Sequence, residues 1–186
     1  EQKAYPAVVD TDGDPSTPKR LVWVVDAYTT TDSYPYAQHQ SLSSSTVDSR
    51  SQSVGQYIQE NSINYMRNSV KAIVDAYDGS VRLFQWDEKD PILSTWMKIY
   101  PGSVESKQNI SADLMGHLRY PEDMFKVQRD LLTSYHVRDA SDFYTGGDRW
   151  RLAEETSTAA TANGASTATM SSSQQQAVRV QPPYYL

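Results

Sequence analysis

The chain of 186 residues is long enough for one domain with tails, yet only 38% of it is hydrophobic and its mean hydropathy is −0.64. A formal charge of −6 and a pI near 5.0 leave no basic stripe to neutralise phosphates, which argues against a nucleic-acid partner, and no run approaches the ~20 apolar residues of a membrane span. With no cysteine there is no disulfide framework, thiolate metal site or cysteine nucleophile.

Tyr5 to Asp10 is a short apolar run and Arg20 to Tyr28 a longer β-rich one; the turn formers between them predict a hairpin. Asp10, Asp12 and Asp14 stand at alternate positions, as at the opening of a calcium loop. Pro15 then replaces the glycine that loop needs and Leu21 its bidentate glutamate, which favours a solvated turn. Val24-Val25-Asp26-Ala27-Tyr28 returns almost residue for residue as Ile73-Val74-Asp75-Ala76-Tyr77. If the two strands are neighbours, Asp26 and Asp75 lie close together, and paired carboxylates can serve as general acid and base. The weightier alternative is that each aspartate closes a strand by bonding turn backbone.

Thr29 to Gln56 is long, polar and poorly patterned. Its Tyr34 and Tyr36, with Tyr28 and Tyr77 of the repeats, are candidate ligand-binding residues whose rings would stack on a sugar. The competing expectation is a collar over the sheet edge with a disordered Ser-rich tip from Leu42 to Ser53.

The segment Asn64 to Asp87 alternates in two arms around Asp78-Gly79, so it reads as a β-hairpin at the centre of the sheet. Asp90-Pro91 starts a helix with Ile92, Trp96 and Ile99 on its buried face and Leu93 and Met97 beside them, ended by Pro101-Gly102. Ser111 to Arg119 is a second short helix. Pro121 opens a third, with Met124, Val127, Leu131 and Tyr135 as its buried stripe beside Phe125 and Leu132. Asp139 caps a last short helix that stops at Gly146-Gly147, and Trp150 anchors the exit.

These elements predict an α+β fold: an antiparallel sheet of about four strands from two hairpins, with three or four short helices packed on it. The expected organisation is an α+β segment over 1–155 and a flexible Ser/Thr/Ala/Gln linker over 156–176. A further strand over 177–186 would belong to the next part of a longer protein. The start at Glu1 without a methionine and the end on Tyr184-Tyr185-Leu186 also suggest an excised piece. His39, His117 and His136 show no ligand spacing, and neither a metal site nor a cofactor is expected.

Five stretches, in order, carry a resemblance: Leu21 to Tyr36, Ile63 to Gly79, Trp86-Asp87 to Asp90-Pro91, Leu118 to Phe125, and Gln181-Pro182-Pro183-Tyr184-Tyr185. They are similar to uncharacterised protein family 0182, large bacterial membrane proteins found notably in actinobacteria. The resemblance implies a multi-pass membrane region upstream and a large domain outside the plasma membrane, to which this segment would belong. It implies no activity and transfers no catalytic residue.

The functional expectation is a non-enzymatic extracytoplasmic binding or scaffolding domain. Its partners would be the remainder of its own chain, including membrane helices, and a cell-envelope glycan or protein. The alternatives are an envelope hydrolase or transferase using Asp26 and Asp75, or an accessory domain of a transporter.

Overall fold

Alternating β-branched and aromatic residues give the chain its main element, a sheet seen in a computed structural model that describes residues 3–14, 16–48, 62–154 and 180–185. Its strands are β1 (Tyr5–Val9), β2 (Arg20–Thr31), β5 (Tyr65–Asp75) and β6 (Val81–Gln85), in the order β1-β2-β5-β6 with every pair antiparallel. Two-residue strands β3 (Gln40–Ser41) and β4 (Ser62–Ile63) lie between β2 and β5 in the chain. The helices are α1 (Leu42–Thr46), α2 (Pro91–Ile99), α3 (Ala112–His117), α4 (Glu122–Tyr135) and α5 (Ala140–Thr145), with a 3₁₀ turn at Lys107–Asn109. The fold is therefore α+β, with a four-stranded antiparallel sheet and a few short helices.

Two compact units divide the chain: Glu1–Gln40 with Ser62–Phe125, and Ser41–Asn61 with Lys126–Leu186. The first holds the sheet. Its two hairpins join through β2 and β5, whose register pairs Val24 with Ile73 and Asp26 with Lys71 before a bulge at Ala27/Tyr28. The central pair is thus one arm from each hairpin. The expected central hairpin contributes β5 to the middle and β6 to the edge, because β2 is long enough to cover β5 along its whole length. The turn from β5 to β6 runs from Ala76 to Ser80, and Gly79 takes φ +72, a conformation that a side chain would strain.

One sheet face carries the core. Val9, Val22, Val24, Ile73 and Phe84 are buried there with Ile110 and with Leu114 of α3. Helix α2 starts where the Asp90-Pro91 pair predicts, with Asp90 accepting from the Ile92 and Leu93 amides at 3.0 and 3.3 Å. Its buried residue is Leu93, whereas Trp96 and Ile99 point to solvent and Trp96 stacks on Tyr100. The buried side of α2 is thus centred on Leu93, with Ile92 and Met97 half-buried, one position round from the expected Ile92-Trp96-Ile99 line and on the residues expected beside it.

The second unit is organised by polar contacts. Ser41 caps α1, so the start of the Ser-rich stretch is a helical turn rather than a disordered tip; Ser45, Thr46 and Asp48 are buried, and 49–53 lie outside the described residues. Asp48 pairs with Lys126 at 2.6 Å and Ser45 donates to Asp130 at 2.9 Å. Helix α4 accordingly buries Lys126, Val127 and Thr133, while Phe125, Leu132 and Tyr135 are exposed. Of its expected apolar stripe Val127 is buried, Met124 and Leu131 are half-buried and Tyr135 is exposed. Asp139 caps α5, which ends at Gly146, and the Trp150 amide donates to the Thr133 carbonyl at 3.0 Å while its ring stacks on His136. The linker expected over 156–176 lies outside the described residues; beyond it, Val180 bridges to Glu154.

Candidate functional site

At the end of the sheet where β2 begins and β5 finishes, a cleft of about 190 Å³ opens on the core face. Its floor is apolar, built from Val22, Ile73, Phe84 and Leu114, and its rim is charged, with Arg20, Asp75, Asp78 and Arg82. Strand pairing places these groups. Val22 stands opposite Asp75 across β2 and β5, and Arg82 stands opposite Ile73 across β5 and β6.

Both guanidiniums are engaged. Arg20 forms a two-pronged pair with Asp75, reaches Asp78 at 3.0 Å and lies over the Tyr77 ring at 5.2 Å. Arg82 grips Glu105 through two bonds of 2.9 and 2.8 Å and donates a third, of 3.0 Å, to the Thr11 carbonyl. The bonds from Arg20 hold the Asp75 carboxyl down to about 2. Ser80, through its hydroxyl and its amide, lowers Asp78, and Arg82 lowers Glu105. Every carboxylate around the cleft is thereby kept charged well below neutral pH. The rim can offer hydrogen bonds and shape to a ligand; none of these carboxylates is poised to exchange a proton near pH 7.

The second expected carboxylate, Asp26, lies elsewhere. It is buried mid-strand on the same face and is paired with Lys71, which also donates to the Arg119 carbonyl at 3.0 Å and approaches the Trp86 ring at 5.0 Å. The register pairs Asp75 with Val22 and Asp26 with Lys71, so the two aspartates end four residues apart along the ladder, roughly 13 Å. The structure does not bring them together.

The tyrosines are also dispersed. Tyr77 is at the cleft end, while Tyr34 and Tyr36 follow the far end of β2, and Tyr28 sits at the bulge. Tyr34 stacks on Tyr65 at 5.6 Å, and its backbone is held by Asn64 through bonds of 3.0 and 2.8 Å. Tyr36 is fully exposed with φ 60. The triplet Asp10, Asp12 and Asp14 forms successive turns in which each carboxylate accepts amides from the residues just after it. Among the described residues no group of three or more His, Asp or Glu side chains could hold a metal ion.

Sequence reasoning passed over Lys71, Arg20 and Arg82. The available signal was parity: Lys71 and Asp75 alternate in phase with Ile73, just as Arg20 and Asp26 do with Val22 and Val24, so each central strand carries at least two charges on its core side. Asp90, read only as a helix cap, is fully buried and also accepts from Thr29, Ser69 and Tyr65. Burial opposes its ionisation, but the bonds from Ser69, Thr29, Tyr65 and the Ile92 amide prevail and lower its pKa.

A family model described as an uncharacterised protein family (UPF0182) matches residues 1–186. The chain is 54% identical over 151 residues to a UPF0182 protein of Mycobacteroides abscessus, covering 81% of this chain and 14% of that protein. It is 52% identical over 155 residues to one of Streptomyces coelicolor (82% and 15%) and 51% identical over 150 residues to one of Mycobacterium tuberculosis (81% and 14%). The chain thus spans about one-seventh of the length of these relatives. No solved structure matches it.

Proposed function

We propose, from the premise that this chain belongs to the uncharacterised family UPF0182, that it is a non-enzymatic binding or scaffolding segment. In this reading it lies on the extracytoplasmic side of the plasma membrane, within a larger multi-pass bacterial membrane protein. The cleft bounded by Arg20, Asp75, Asp78 and Arg82 is its contact site, and the partner is a cell-envelope glycan or protein that meets an apolar floor and a hydrogen-bonding rim. One observation carries this reading: every charged group on the rim is already in an ion pair, with its carboxylates held ionised. Such a rim recognises and holds; it does not move protons.

The test is a thermal-shift titration of the full-length family protein in mild detergent against cell-wall oligosaccharides, with chromatography of each mixture for cleavage products. A saturable rise in melting temperature with intact oligosaccharide, lost in Arg82→Ala, is expected. A flat response across the panel overturns the glycan-binding reading, and released fragments overturn the non-enzymatic one. Placement outside the membrane is tested separately, by labelling Lys98→Cys in intact cells with a membrane-impermeant maleimide. Labelling only after lysis would reject it.

A further inference from the structure

The sheet carries its charges on the core side, among the buried apolar residues, and its opposite face is apolar as well. On the face opposite the core, one rung runs Pro6, Trp23, Val74, Val81 across all four strands, and the next runs Val25, Ala72, Leu83. None of these seven side chains is buried: Trp23 is 43% exposed and Val81 58%. No Asp, Glu, Lys or Arg stands on either rung. An antiparallel sheet with a solvated face alternates apolar with polar residues, whereas strands that are apolar on both sides belong to sheets covered on both sides. A contiguous apolar surface of this kind marks a contact that the described residues do not themselves complete.

We infer that this face is covered, in the full-length protein, by an uncharged apolar surface from the same polypeptide outside these 186 residues. Two observations choose that occupant. Relatives are about seven times longer than this chain, so most of the polypeptide lies outside the structure. A tethered segment competes at an effective concentration on the order of millimolar, which a second copy does not match. The rungs also lack any charge that would steer or discriminate a partner met by diffusion, and a wholly apolar face is the character of a permanent contact.

The inference is independent of the cleft, which opens on the other face of the sheet. It is tested on the unsubstituted full-length protein by hydroxyl-radical footprinting, comparing oxidation of Trp23 in the native and urea-unfolded protein. Protection of about tenfold or more is expected for a ring sealed inside a contact, and protection of about twofold, as for a half-exposed ring, overturns the proposal. The occupant is identified with a benzophenone side chain at position 72, using light and isotope-heavy protein mixed before irradiation. Cross-links to peptides outside these 186 residues within one isotopic form support the inference. Light-to-heavy cross-links assign the face to a second copy and overturn it.

Discussion

Asp26-Ala27-Tyr28 and Asp75-Ala76-Tyr77 are one tripeptide placed in two environments. The first aspartate is buried mid-strand and neutralised by Lys71, beneath Arg119 and Trp86. The second ends its strand at an open rim, where it serves Arg20 and the amide of Tyr77 (2.8 Å). Local sequence is the same, and the strand faces are the same. The difference is distance from the end of the ladder, which decides how much water each carboxylate keeps. It is the register, which pairs Val24 with Ile73 and Asp26 with Lys71, that sets the two copies of the tripeptide apart.

The sharpest way to break the contrast is at Lys71. Lys71→Met strands a buried carboxylate, and a loss of about 3–5 kcal/mol is expected in urea unfolding. Asp26→Leu combined with Lys71→Met should recover most of that loss, since an apolar pair of similar volume costs little. If the double variant is no better than the single, the pair is not the isolated buried unit described here.

Asp90 extends the comparison to a buried carboxylate held by neutral donors instead of a cation. Asp90→Ala removes the α2 cap and the acceptor shared by the Thr29, Ser69 and Tyr65 hydroxyls, which together should cost about 3 kcal/mol. A variant as stable as the parent would show that these bonds are made equally well to water. At the turn that follows the second tripeptide, Gly79→Ala forces a side chain into φ +72 and should cost about 1 kcal/mol. No change in the unfolding midpoint would mean that the turn relaxes freely.

The smallest effect belongs to the open site. Asp75 has its pKa lowered in the folded state to about 2, so its contribution is present above the ordinary carboxylate value near 3.8 and is lost as pH falls toward 2. Arg20→Gln should flatten the pH dependence of stability in that window while leaving stability at pH 7 less affected than Lys71→Met does. An unchanged acid limb in Arg20→Gln would detach Asp75 from Arg20.

Much of the architecture could be read from residue order. Alternation marked the strands, Asp78-Gly79 the turn, and Asp90-Pro91 and Asp139 the helix starts, because each signal acts within a few residues. The buried sides of α2 and α4 were less legible. Ile99 and Tyr135 look like core when read by period alone, yet both are exposed, whereas Leu93 in one helix and Lys126, paired with Asp48, in the other are buried by residues distant in the chain. The site was less legible still. Asp75 was named as a candidate, but Arg20 and Arg82 reach the rim only through the register of three strands, and no spacing along the chain records that register.

By itself, then, the amino-acid sequence determined the elements, their type and the two hairpins, since backbone preference and side-chain periodicity are short-range properties. Tertiary structure alone decided which aspartate would be dry and which wet, and which sheet face would be left bare. Those outcomes depend on what stands across a ladder or above a face, and residues far apart in the chain supply it.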